Sequence, residues 1–186
     1  TFTAGNFSLS DGSNITSVMN VAGDYTHTLG SFSIVDGSGS TGNVNVSGNY
    51  THTAGTLTVG GNSSTSAVIS FATTTLPVVT GNVDWKINSG STLVMGSSIM
   101  YGRNFTLSAG GGLSMGSLLG ISATGLLGNI QVSGTRSYST GADYVYSGGA
   151  TQNTGGGIPA TVRNLTVNNG GTLTMSTDFT VTGVLN

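Results

Sequence analysis

Apolar side chains along this chain alternate with Thr, Ser or Asn at a period of two. Phe105 and Leu107 are separated by one polar residue, as are Leu113 and Met115, and Leu173 and Met175. That period belongs to the β-strand, whose successive side chains leave on opposite faces. The runs are short, about four to six residues. They are divided by corners such as Asp11-Gly12, Asp36-Gly37, Gly60-Gly61 and Gly110-Gly111-Gly112, residue types that take tight turns at low cost. β-Branched residues, which suit a pleated surface, are abundant. The pattern predicts short strands throughout, and no apolar run reaches the length of a membrane-spanning helix.

A longer period overlies the short one. Residues 21–34 (VAGDYTHTLGSFSI) and 46–59 (VSGNYTHTAGTLTV) match without a gap at an offset of 25. Residues 1–9 fall in the same register, and Met19, Val44 and Ile69 continue it, as do Val21, Val46 and Phe71. Residues 1–75 therefore read as three units of 25. Residues 76–186 read as a continuation in turns of about 20, with irregular insertions. There, RNFTLSAGGGLSM (103–115) matches RNLTVNNGGTLTM (163–175) at an offset of 60, read as three such turns. Trp85, Ile87, Leu93 and Met95 take the places of Phe105, Leu107, Leu113 and Met115 one turn earlier.

Short strands at this spacing predict an all-β fold, a repetitive β-solenoid. The expected form is a right-handed parallel β-helix with coils of about 20–25 residues. Propeller blades need longer units, and a sandwich does not require like residues at like corners. In a solenoid, equivalent residues stack about 4.8 Å apart and share one environment. The interior is expected to hold Val, Leu, Ile, Phe, Met and Tyr. Outward Thr and Asn columns, Thr26 with Thr51 and Asn104 with Asn164, are expected to hydrogen-bond along the stack as ladders.

Composition narrows the function classes. Gly, Thr, Ser and Asn supply more than half of the 186 residues, and only ten residues carry a formal charge, none of them Glu. Three Arg and one Lys cannot supply the cationic footprint of a nucleic-acid binder, and no polybasic segment addresses an anionic membrane. With no Cys there is neither a disulfide framework nor a thiolate site. A flexible linker is disfavoured because 36% of the residues are hydrophobic and are periodically placed.

Residues 142–186 carry a recognisable set of phrases: Y-x-G-x-x-x-Q-x-T-G from Tyr146 to Gly155, P-A-T-V-x-N-L-T-V-N-N over 159–169, and a looser L-T-x-D-F-T-V-T-G-x-L over 173–185. With GNYTHTAGTLTV at 48–59, they resemble the repeat modules of very long surface proteins of the Bacteroidota, exported by type IX secretion. The resemblance implies a stalk or filament segment at the cell surface or outside the cell, without catalysis or cofactor. Thr1 aligns inside a unit, with Thr26, and residues 178–186 open another. The chain is accordingly read as a stretch of a longer rod, or a subunit that stacks end to end on like segments. Surface glycans are the other expected partner; nucleic acid and membrane insertion are not expected.

Several residues carry candidate chemistry. His27 and His52 stack at offset 25 and invite a metal or proton site. Phe2 and Trp85 are assigned to the same column, so an aromatic stack with Tyr25 and Tyr50 is the preferred reading. Asp11 and Asp36 stack as a glycosidase-like pair or a Ca²⁺ site; their place before Gly favours simple turn chemistry. Thr1/Thr3, Thr26/Thr28 and Thr51/Thr53 form Thr-x-Thr columns of the kind that bind ice, but the array ends where Val83, Asp84 and Trp85 follow. Carbohydrate binding or processing by a β-helix, and ice binding, are therefore the alternatives to a structural role. An uncharged rod of this kind is expected to keep its melting temperature between about pH 4 and pH 9.

Overall fold

Like residues at a fixed spacing come to lie side by side. Tyr25, Thr26 and His27 pair with Tyr50, Thr51 and His52 on the neighbouring parallel strand. A computed structural model describes residues 1–9, 12–34, 39–46, 50–59, 66–71 and 82–186, with the backbone alone at 46, 50–55, 66–71 and 82–83. Its strands are β1 (Phe7–Ser8), β2 (Thr16–Val21), β3 (Tyr25–Ser33), β4 (Thr41–Val46), β5 (Tyr50–Val59) and β6 (Ser66–Phe71). Then follow β7 (Asn82–Ile87), β8 (Thr92–Val94), β9 (Asn104–Leu107), β10 (Gly112–Met115), β11 (Arg136–Tyr138) and β12 (Asp143–Tyr146). The last are β13 (Gln152–Asn153), β14 (Thr161–Val162), β15 (Asn164–Val167), β16 (Leu173–Thr174) and β17 (Thr180–Val181). No helix occurs among the described residues.

The chain visits two sheets in alternation. One has the order β1-β3-β5-β7-β9-β11, the other β15-β12-β10-β8-β6-β4-β2. Two small pairs, β13-β16 and β14-β17, follow. Every strand pairing among the described residues is parallel, so each return to a sheet needs a full crossover and not a hairpin. The fold is all-β.

Pairing spacing changes along the chain. Met19 pairs with Val44 and Val44 with Ile69, the offset of 25 read from the sequence. Trp85 pairs with Phe105, Ile87 with Leu107 and Leu93 with Leu113, at the offset of 20. Between β10 and β11 lies a long connection that lengthens the next pairing: Leu113 pairs with Tyr144.

Two expectations are corrected by this register. Trp85 pairs with Leu57, not with His52, and so belongs to a different column. The reason lies at Gly30. His27 and Phe32 are both buried, although strict alternation would put them on opposite faces. Gly30, at φ 108, switches the parity between them, and a Cβ there would collide with the Gly5 carbonyl oxygen. Trp85 then takes the inward row of Phe7, Phe32 and Leu57. Second, the two copies at offset 60 occupy different sheets: Asn104 starts β9 in the first and Asn164 starts β15 in the second. The extra residues of the β10–β11 connection put the copies out of step.

The core lies between the two large sheets. Phe32, Leu57, Trp85 and Phe105 from the first pack in one cluster with Val44, Leu93, Leu113 and Tyr144 from the second. Burial of each such side chain contributes about 1.5–3 kcal/mol. Phe7 and Phe32 approach to 5.3 Å between ring centres, and Phe105 and Tyr138 to 5.6 Å. The inward row of the first sheet ends on a charged residue, Arg136, paired with Phe105.

Candidate functional site

Thr26 and Thr28 flank the buried His27 on β3 and are half-buried, on the face opposite to His27. Thr26 is in register with Thr51. The side chains of Thr51, His52 and Thr53 lie outside the described residues, as do Asp11 and Asp36 entirely. His27 is fully buried, its Nε2 lies 3.1 Å from the Leu29 carbonyl oxygen, and its ring centre is 4.7 Å from that of Phe2. Bonding to a carbonyl requires Nε2 to carry the proton. Among the described residues no three His, Cys, Asp or Glu side chains gather as a metal site would need.

The polar chemistry concentrates instead at two copies of one arrangement. Asp84 is in register with Asn104, and Asp143 with Asn164. Asn104 Nδ2 donates to Asp84 Oδ1 at 2.8 Å, and Arg103 Nε donates to the same oxygen at 2.8 Å. The Arg103 Nη2 closes a bidentate pair on Oδ2. At the second copy, Asn164 Nδ2 and Arg163 Nε each donate to Asp143 Oδ1 at 2.8 Å, and Arg163 Nη2 donates to Oδ2 at 2.6 Å. The amide oxygens then face the next pass of the chain: Asn104 accepts from Thr135 N–H at 2.9 Å and Asn164 from Val184 N–H at 2.8 Å. Each Asn thus bonds along the stack in both directions. Its partners are an Asp and a backbone amide, not the other Asn.

Electrostatics follow from this geometry. Arg103, through its hydrogen bonds, holds the Asp84 carboxyl below the usual carboxylate range; burial opposes this in part, and hydrogen bonds from Asn104 add to the lowering. Asp84 is therefore a fixed anion and a poor proton donor near neutrality. Beside it, Thr56, Lys86, Asn104, Thr106 and Thr135 line an open groove of about 450 Å³ with Asp84. The indole of Trp85 is 1% exposed, so the groove has no aromatic platform from that side chain.

Simple ladders recur elsewhere. Asn45 Nδ2 donates to Asn20 Oδ1 at 2.9 Å, and Thr41 Oγ1 to Thr16 Oγ1 at 3.0 Å. Sequence reasoning overlooked the two aspartates of the clamps. A signal was present: an Asp-aromatic pair, Asp84-Trp85 or Asp143-Tyr144, precedes each Arg-Asn pair by about one turn of 20 residues.

Comparison of the chain with protein-family models, with curated proteins and with solved structures finds no match.

Proposed function

We propose that the chain is a structural segment: a right-handed parallel β-solenoid that serves as a rod in a secreted or cell-surface adhesin or filament, without catalysis. One observation carries this reading. Parallel strands alternate between two sheets, and like residues sit in register from one visit to the next. A chain that repeats one environment, each unit contacting its neighbours, extends along an axis, a form suited to spacing. Outward contacts between strands are largely neutral hydroxyl and amide bonds, such as Asn20 with Asn45. The likeness of residues 142–186 to Bacteroidota surface repeats supports the location.

The test is immunogold labelling of intact source cells with an antibody raised against residues 1–186. Label along surface fibres is the expected result. Antigen found only dissolved in the medium would overturn the stalk reading.

A second reading, glycan binding, is favoured by one feature, the groove of Thr56, Asp84, Lys86, Asn104, Thr106 and Thr135. Binding on a glycan array that is lost with Lys86→Ala and Thr106→Val would move this reading ahead.

A further inference from the structure

One row of paired residues crosses the whole second sheet. It starts at Met19 on β2 and ends at Leu165 on β15 and Leu185 on the pass beyond. Every member is Met, Val, Ile, Leu or Tyr. The described inner members are closed to water: Val44, Leu93, Leu113 and Tyr144 are 0% exposed. At its ends the row opens, with Met19 half-buried and Leu185 66% exposed. The neighbouring row behaves alike: Tyr146 is 0% exposed and its partner Val167 37%. Leu165, Val167 and Leu185, with Leu173, Met175, Phe179 and Val181, line an apolar groove of about 430 Å³ at this edge.

The backbone is open at both ends of this row as well. Leu165 N–H donates to the Val184 carbonyl at 2.9 Å, and Asn186 N–H donates to the Leu165 carbonyl at 3.0 Å. Val184 and Asn186 thus face β15, and Leu185, between them, turns its N–H and C=O to the other side. At the opposite edge, Thr41 N–H donates to the Ile15 carbonyl at 2.8 Å. By alternation Met19 also faces β4, while Val18 and Asn20 turn their backbone groups outward. Among the described residues no strand lies beyond either edge. An unpaired edge of this kind is a template for a further strand.

We propose that a second copy of this chain adds its β2, in parallel, to the open edge at residues 184–186, so that copies join head to tail. Two observations select this occupant. First, β2 brings the next member of the same apolar row: its Met19 meets Leu185 as Val44 meets Met19 within the chain, and Val21 follows on the same face. Second, the hydrogen bonding is in phase. Leu185 N–H meets the Val18 carbonyl and the Leu185 carbonyl meets Asn20 N–H, the pattern that Leu165 makes with Val184 and Asn186. The joint thus repeats a pairing the sheet already makes at every step, by addition of a strand to its edge. The different lengths of turn at the two ends are no bar. Met19 with Val44 and Leu93 with Leu113 already stand in one row at offsets of 25 and 20. A contact between two unlike edges does not close on itself, so it propagates into open chains of copies. The inference needs only the parallel register of the second sheet and is independent of any location at the cell surface.

Analytical ultracentrifugation of the 186-residue protein, from about 1 μM to 1 mM, tests the proposal. The expected result is a mean mass that climbs with concentration past that of a dimer. Leu185→Lys puts a charge into the joint at a side chain that is mostly exposed, so the fold is kept. Alone, this variant should associate at least tenfold more weakly than the parent. Mixed with the parent, it should add through its intact β2 and cap the growing chains, which lowers their mean mass. Leu126→Lys, at an exposed leucine of the β10–β11 connection, should leave association unchanged. Circular dichroism and Trp85 emission establish that each variant is folded. A monomer across the whole range overturns the proposal, as does association that Leu185→Lys leaves intact. A dimer that grows no further, and that the variant does not join, would assign the contact to two like edges and overturn it too.

Discussion

Asn164 donates to Asp143 on the preceding strand and accepts from the Val184 amide on the following pass of the chain, both at 2.8 Å. The side chain spans three successive visits of the chain, a connection no single backbone ladder makes. Asn104 does the same between Asp84 and the Thr135 amide. The aspartate side of each clamp is also held by an exposed arginine.

The arginine and the asparagine of a clamp should therefore differ in weight. Arg163→Ala removes a solvent-screened ion pair, and its cost should stay below about 1 kcal/mol. Asn164→Ala leaves the Val184 amide without its acceptor and should cost about 1–2 kcal/mol. Urea denaturation of the two variants measures this order. Equal costs, or a larger one for Arg163→Ala, would show that the ion pair carries the clamp.

Trp85 is the sole tryptophan and is 1% exposed in the inward row between Leu57 and Phe105. Its emission should be blue-shifted and insensitive to iodide or acrylamide in the folded protein. Trp85→Ala should cost about 3–5 kcal/mol, because packing on both sides limits collapse of the cavity. Strong quenching in the native state would mean that the row is open to water.

Alkali should unfold the protein by way of its phenols. Burial pushes Tyr25 up to about 12, and raises Tyr138, Tyr144 and Tyr146 further. Unfolded tyrosines lose their protons from about pH 10. Above that pH the unfolded state binds fewer protons than the folded one, so stability falls as pH rises. Absorbance at 295 nm should show these phenols ionising together with loss of structure. On the acid side, the depressed Asp84 carboxyl contributes stability that is present above its unfolded value, near pH 4. That contribution is lost as pH falls through the folded value. The melting temperature should thus be flat from about pH 5 to pH 9. A steep change inside that window would contradict this account.

Asn129 is the pin of the β10–β11 connection. Asn129→Asp keeps the acceptor for Ser117 N–H but cannot donate to the Gly96 and Ser98 carbonyls, and it buries a charge. Asn129→Ala removes all three bonds. Both should loosen the loop and speed chymotrypsin cleavage at Leu118-Leu119 and Leu126-Leu127, which are already exposed, with the Asp variant cut at least as fast. A cleavage rate unchanged from the parent in either variant would show that Arg136 alone suffices to hold the loop.

The registers at 25 and 20 were legible because those units keep both the residue types and the number of residues per turn. Tyr25 with Tyr50 and Trp85 with Phe105 follow directly. The parity switch at Gly30 was not legible: alternation alone sends His27 and Phe32 to opposite faces, and only a positive φ reconciles them. The offset of 60 misled for a different reason. The Asp–Arg–Asn clamp needs only a parallel neighbour on the preceding visit, so either sheet can host it. Identity of sequence there reports a local device, not a shared sheet. The same limit hid the partners of Asn104 and Asn164, which lie one visit away and differ in type from Asn.

The arginines of this chain are held in defined contacts, and that bears on digestion. A trypsin-like protease must draw a Lys or Arg side chain, with an extended stretch around it, into its cleft. Arg103 and Arg163 are engaged by aspartates, and Arg136 by loop carbonyls. Lys86 sits inside β7, paired with Thr58 on one side and Thr106 on the other. The folded chain therefore offers such an enzyme few points of entry, a form of durability that comes from scarcity of basic residues and from where the few are placed.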